Sequence, residues 1–179
     1  YITLMPQQSY LFSDTIGHNI AYGNPEASQE AIEVATQTTQ VQEDILQFQE
    51  GYNTFVGERG LSVSGGQRQR MSFARTLLVE PSILLLDDPF SNVDAHTEQE
   101  ILKALQERET FDNKTTLIST HRFSILNQVD WIMLLDKGEL ITTGTHQELI
   151  KSQPLYQKLH DKQRQKEEFL EAWQEGGQS

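Results

Sequence analysis

An α/β fold with a mostly parallel sheet and a C-terminal helix is predicted by three features of this sequence. Ile83-Leu84-Leu85-Leu86 is an apolar run stopped by Asp87-Asp88-Pro89, and it reads as a buried parallel strand. Met71, Ala74, Leu77 and Leu78 before it, and Ile101, Leu102 and Leu105 after it, recur at helical spacing as core contacts. Thr115 to Thr120 is a β-branched run that reads as a further strand.

In chain order, Tyr1-Ile2-Thr3-Leu4-Met5 is strand-like, and Pro6-Gln7-Gln8 breaks it. Ile16 and Ile20 predict a short amphipathic helix buried at i, i+4. Ser28 is placed to N-cap a helix through Ala35; a second helix follows near Val41 to Gln49, and Glu50 to Asn53 make a turn. Ser64-x-x-Gln67 is a capping box that opens the helix carrying Met71. Gly65 and Gly66 serve a cap poorly but suit close backbone approach to a phosphate. With exposed amides, a positive helix end and the Ser64 hydroxyl, this end is a candidate anion site, while Arg68 and Arg70 are read onto a solvated face. The acidic end of the Ile83 strand falls where ligands of open α/β sheets sit. Two adjacent carboxylates, Asp87 and Asp88, are suited there to a hydrated Mg²⁺ and to orienting a water beside a phosphate chain. Asn113-Lys114 turns into the Thr115 strand, which ends at His121-Arg122. Trp131 to Leu135 and Glu139 to Thr142, joined through Asp136-Lys137-Gly138, form a hairpin. From Gln153 the chain is polar and helix-prone, with Leu155, Leu159, Phe169, Leu170 and Trp173 along it, as in a partly docked helix ending in a loose Gly-Gly-Gln-Ser tail.

Bulk properties narrow the function. The 179 residues suffice for one domain with a real core and are few for two. At 36% apolar and 22% charged, the composition is that of a soluble protein, without a bilayer-length apolar run or a signal-peptide pattern. The net charge of −12 argues against nucleic acid or an anionic membrane surface as the main partner. With no cysteine, a disulfide scaffold and thiolate metal sites are excluded.

Val63-Ser64-Gly65-Gly66-Gln67 resembles the LSGGQ signature of the ATP-binding-cassette (ABC) ATPases, with Val63 where Leu is usual. The Asp87 strand follows at that family's Walker B spacing, and the resemblance covers nearly the whole chain. It implies a partial P-loop NTPase (ABC ATPase) fold in four parts. These are a core strand and Q-loop (1–13), a helical subdomain with the signature (14–79), a RecA-like core (80–152) and a helical tail (153–179). Carried over residue by residue, Gln7 takes the place of the Q-loop glutamine that contacts Mg²⁺ and the attacking water, and Asp87 that of the Mg²⁺-binding Walker B aspartate. Asp88 stands where the catalytic base is expected, and His121 in Ser119-Thr120-His121-Arg122 matches the switch histidine. Ser64, Gly65, Gly66 and Gln67 match the residues facing a γ-phosphate held by the opposite subunit, and Asp94 closes the D-loop Ser91-Asn92-Val93-Asp94. Thr54 to Gly60 resembles the exporter X-loop, Phe12 to Gly23 an exporter run entering the helical subdomain, and Gly144 to Leu149 the family's closing segment. ATP and Mg²⁺ are thereby implied as cofactors. The implied partners are a second nucleotide-binding domain and transmembrane domains fused upstream, at the cytoplasmic face of a membrane.

Two departures matter. No G-x-x-x-x-G-K-[ST] occurs, so the phosphate-cradling loop and its lysine are expected upstream, together with the adenine-stacking aromatic residue. The chain by itself should then bind ATP weakly or not at all and expose apolar surface where further strands would pack. The other departure is Asp88, where active relatives usually carry Glu. One methylene less misplaces a base, at a cost of roughly 10²-fold in turnover. The resemblance is then to the degenerate half of an asymmetric exporter. A non-transport ABC ATPase and a catalytically idle regulatory module are the competing readings.

Overall fold

The computed structural model describes residues 2–57, 62–107 and 114–176, with backbone alone for 166–176. The expected turn residue Asn113, Glu58 to Gly60 of the X-loop-like segment, the side chains of Phe169, Leu170 and Trp173, and the last three residues of the tail lie outside the described residues. The chain divides into two compact units, Tyr1–Thr120 and His121–Ser179.

The first unit is built on a three-stranded sheet ordered β1-β4-β5, from Ile2–Met5, Ile83–Asp87 and Thr115–Ser119. Both pairings are parallel, with Met5 opposite Leu86 and Asp87 opposite Ser119, so all three strands deliver their ends to one edge. The Ile83 strand is central, as its continuous apolar run requires; Leu84 and Leu86 are buried and Ile83 and Leu85 half-buried. Phe90 meets Phe73 edge-on, with ring centroids 5.9 Å apart, and both rings are buried. Helix α5 (Ala95–Glu107) buries Ile101, Leu102 and Leu105, the face its period predicts.

The remainder of this unit is helical. A two-stranded antiparallel pair, β2 (Asp14–Thr15) with β3 (Phe55–Val56), accompanies α1 (Ile16–Ala21), α2 (Gln29–Thr38), α3 (Gln42–Gln47) and α4 (Gly65–Leu78). Thr15 and Ser28 cap the first two of these helices by accepting from the His18 and Ala31 amides. Ile16 and Ile20 are fully buried in a core shared with Ile32, Ile45, Val56 and Met71. In α4, Met71, Ala74 and Leu78 are buried as expected, but Leu77 is half-buried. Phe73 takes a core position instead, because α4 has packing partners on more than one side.

In the second unit, α6 (Phe123–Leu126) precedes the hairpin β6 (Ile132–Asp136) and β7 (Glu139–Gly144). Lys137 and Gly138 make its two-residue turn with positive φ at both, the geometry that matches strand twist. Helices α7 (His146–Ser152) and α8 (Pro154–Gly176) follow, with Tyr156 buried against Phe123, Ile132, Leu134 and Leu149. Among the described residues no helix is long and apolar enough to cross a membrane.

Candidate functional site

Parallel pairing brings Gln7, Asp87 and Asp88 together at the carboxyl edge of the β1-β4-β5 sheet. Gln7 lies two residues beyond β1 and is exposed, and Asp87 ends β4 with its side chain in solvent. Asp88 is 7% exposed, and the Gln7 amide nitrogen donates to its Oδ2 at 3.5 Å. Its backbone adopts φ 47°, a left-handed conformation that Asp tolerates better than most residues. The turn is held on both sides: the Asp88 amide donates to the Ser119 carbonyl at 2.8 Å, and the Ser91 amide donates to the Asp88 carbonyl at 3.2 Å. A carboxylate thus sits at a fixed place beside an amide that can reach it.

At the start of α4 the capping box is complete. Ser64 Oγ accepts from the Gln67 amide at 3.1 Å, and Gln67 Oε1 accepts from the Ser64 amide at 3.0 Å. The Gln67 side-chain nitrogen also donates to Asp44 at 3.0 Å. Glycine at 66 has a packing cause as well as the one expected from a phosphate: a Cβ there would lie 2.8 Å from the Asn92 carbonyl oxygen. The first turn of α4 therefore rests on the Ser91–Asn92 turn. Arg68 is exposed as expected. Arg70 is not: its side chain is largely covered and pairs with Asp44 at 2.9 Å while donating to the Gln40 carbonyl. Its place in the polar run Gln67-Arg68-Gln69-Arg70 hid a partner supplied by α3.

Asp94 caps α5, its Oδ1 accepting from the Thr97 amide at 2.9 Å. That hydrogen bond and a second one to the Thr97 side chain hold its carboxyl below the usual carboxylate range. His121 is exposed and is the first residue of the second unit.

Three polar residues gained no role from sequence reasoning yet tie the elements together. Gln69 is 1% exposed and donates to the Asp88 carbonyl and Ser91 Oγ while accepting from the Asn92 amide. Arg75 donates to the Asn19 carbonyl and Oδ1 and to the Tyr10 carbonyl, and stands over the Phe12 and Tyr22 rings. Burial pulls its guanidinium below the usual range. Asn19, also 1% exposed, holds the Phe12 amide and carbonyl. Gln69 sits in a polar stretch that gives no period, and Asn19 and Arg75 sit among apolar residues whose period drew the reading to their neighbours.

Magnesium is ordinarily held by one or two carboxylates together with substrate phosphates and waters. The exposed carboxylate of Asp87 and the amide oxygen of Gln7 are hard oxygen donors at one sheet edge and fit such an ion as a partial ligand set. Among the described residues no group of three or more His, Asp or Glu is gathered to hold a metal.

A parallel sheet with this acidic edge, beside a helix opened by Ser-Gly-Gly-Gln, is the arrangement of an ABC-type nucleotide-binding domain. The ABC transporter family model matches residues 1–91, and the chain belongs to that family. The chain is 44% identical over 162 residues to an uncharacterized ABC transporter ATP-binding protein, YknU, of Bacillus subtilis, covering 90% of this chain and 27% of that protein. It is 41% identical over 160 residues to an ATM1-type heavy metal exporter of Novosphingobium aromaticivorans, covering 89% of this chain and 26% of that one. Among solved structures, a bacterial Atm1-family ABC exporter with ATP bound matches with a TM-score of 0.82 at 40% identity, over 90% of this chain and 28% of the other. The chain thus spans about a quarter of the length of these relatives.

Proposed function

We propose that this chain is the C-terminal part of the ATP-binding domain of an ABC exporter. In this reading a head-to-tail pair of such domains closes on ATP, and hydrolysis resets it to drive substrate export through membrane helices elsewhere in the same protein. The observation that carries it is the convergence of Gln7, Asp87 and Asp88 at one sheet edge, with the Gln7 amide 3.5 Å from Asp88. Asp87 and Gln7 would hold Mg²⁺, which when bound neutralises phosphate charge. Asp88 would accept hydrogen-bond density from the attacking water, and Gln7 would orient that water. His121 would hydrogen-bond the γ-phosphate. The Ser64–Gln67 end would meet the nucleotide held by the opposite domain, with Asp94 in the segment crossing that interface. We assign residues 1–13 to the core strand and Q-loop, 14–79 to the helical subdomain, 80–152 to the catalytic core and 153–179 to the tail.

Asp88 in place of Glu makes this the weaker of two sites in a heterodimer. The same residue favours a second reading, an idle regulatory module whose site only holds ATP. The first test is ATP turnover of the full-length protein in membranes, with the partner domain's catalytic carboxylate replaced by its amide so that only this site is read. Asp87→Asn is expected to lower turnover about a hundredfold or more, the scale of losing a preorganised charge contact. Unchanged turnover would remove Asp87 from the reaction and with it the proposed site.

A further inference from the structure

We propose that Gln69 is a positioning residue that fixes Asp88 from the helix whose first turn is the Ser64–Gln67 face. The inference rests on the site proposed above. Gln69 lies one turn into α4 and is 1% exposed in the middle of an otherwise polar run. Its side-chain nitrogen donates to the Asp88 carbonyl at 3.0 Å and to Ser91 Oγ at 2.9 Å, and its oxygen accepts from the Asn92 amide at 2.7 Å. One side chain therefore satisfies three groups spread over the five residues that follow β4.

The geometry needs such a clamp. Asp88 holds a left-handed φ of 47°, a conformation that a non-glycine residue keeps only when its surroundings over-determine it. Its amide is fixed by the Ser119 carbonyl, and Gln69 fixes its carbonyl. With the backbone held on both sides of the Asp88 Cα, the carboxylate starts from a fixed point, and its Oδ2 lies 3.5 Å from the Gln7 amide nitrogen. Gly66 adds a second contact between the same partners, since its missing side chain lets α4 approach the Asn92 carbonyl. A movement of α4 is therefore delivered to the Asp88 peptide by a short, buried hydrogen-bonded path. In the proposed dimer that helix faces one nucleotide and Asp88 the other, so Gln69 links the two.

The test uses the full-length protein, with the partner domain's catalytic carboxylate replaced by its amide so that kcat reads the Asp88 site, and two variants, Gln69→Met and Gln69→Glu. The Met side chain has similar length and no hydrogen bonds to offer; the Glu side chain is isosteric, still accepts from Asn92 and cannot donate to the Asp88 carbonyl. Both are expected to lower kcat for ATP at least tenfold with KM for ATP unchanged within twofold. Amide hydrogen exchange of residues 88–93 is expected to accelerate in both, with the Asn92 amide itself retaining protection only in Gln69→Glu. A fall in melting temperature with kcat unchanged, or a rise in KM alone, would overturn the positioning role. If the wild-type protein neither binds nor hydrolyses ATP, the proposed site fails. In that case wild-type exchange rates in residues 88–93 of both variants would overturn the clamp too, and accelerated exchange would uphold it.

Discussion

Asp88 shows what one residue can and cannot announce. The Asp87-Asp88 pair at the end of an apolar run was legible in the sequence, because ligand sites of parallel sheets lie at strand ends, whereas Gln7 was singled out only through the resemblance to the ABC family. The left-handed backbone of Asp88 and its clamp by Gln69 were not, since a buried glutamine within Gln67-Arg68-Gln69-Arg70 has the local pattern of a solvated face. Ser64 is the opposite case, a cap readable from its spacing and confirmed in both of its reciprocal bonds. Ser64→Ala is expected to cost about 1 kcal/mol in local stability of the α4 N-terminus, read by hydrogen exchange in the full-length protein. Exchange at the Gln67 amide equal to wild type would show that the hydroxyl holds nothing. Asp94 carries a capping bond of the same kind, so any ligand role it has is added to a structural one.

At the scale of elements, α1, α2, α4 and α5 were found from their periods and caps, and what those periods missed was partners from other elements. Arg70 and Phe73 lie where α4 packs against more than one neighbour, so a single apolar stripe under-describes the helix. Gly66→Ala should be resisted for the same reason, because its Cβ would press on a backbone carbonyl that cannot swing away. A destabilisation of about 1–3 kcal/mol is expected, the usual range for overpacking, and a thermal melt equal to wild type would contradict the close approach.

The contact of α7 with α8 is expected to depend on pH. His146 Nδ1 lies 2.8 Å from the Tyr156 hydroxyl, and the ring is flanked by His160, whose neighbour Asp161 is within 3.4 Å of it; Glu148 of α7 is taken up in the Thr145 cap. Burial first, and the His160 ring second, lower the His146 pKa below 6.5. The folded value lies below the unfolded one, so the associated stability is complete above pH 6.5 and is lost as pH falls through the folded value. Amides of residues 149–156 should exchange faster, after correction for intrinsic rates, on going from about pH 7.5 to about pH 5. No change would show that His146 remains neutral over that range or that its charge is tolerated.

At the scale of the molecule, the described sheet of the first unit presents apolar side chains to solvent, Ile2 at 67% and Leu4 at 58% exposure on β1 and Leu117 on β5. Exposed edges of this kind invite pairing or cover by other protein. The chain has no glycine-rich lysine loop for phosphates and spans about a quarter of its relatives' length. The 179-residue chain alone is therefore expected to self-associate in sedimentation and to show no saturable ATP binding; a monomer with saturable binding would contradict both points. In the proposed transporter the two ATP sites are unequal, and single-turnover ATP hydrolysis tests that asymmetry most directly. The measurement compares wild type with Asp88→Glu in the full-length protein, with the partner domain's catalytic carboxylate replaced by its amide. A longer side chain from the same clamped backbone should bring the carboxylate to the water and raise turnover by about 10- to 100-fold. Turnover that stays at the wild-type level would show that a misplaced base is not what limits this site.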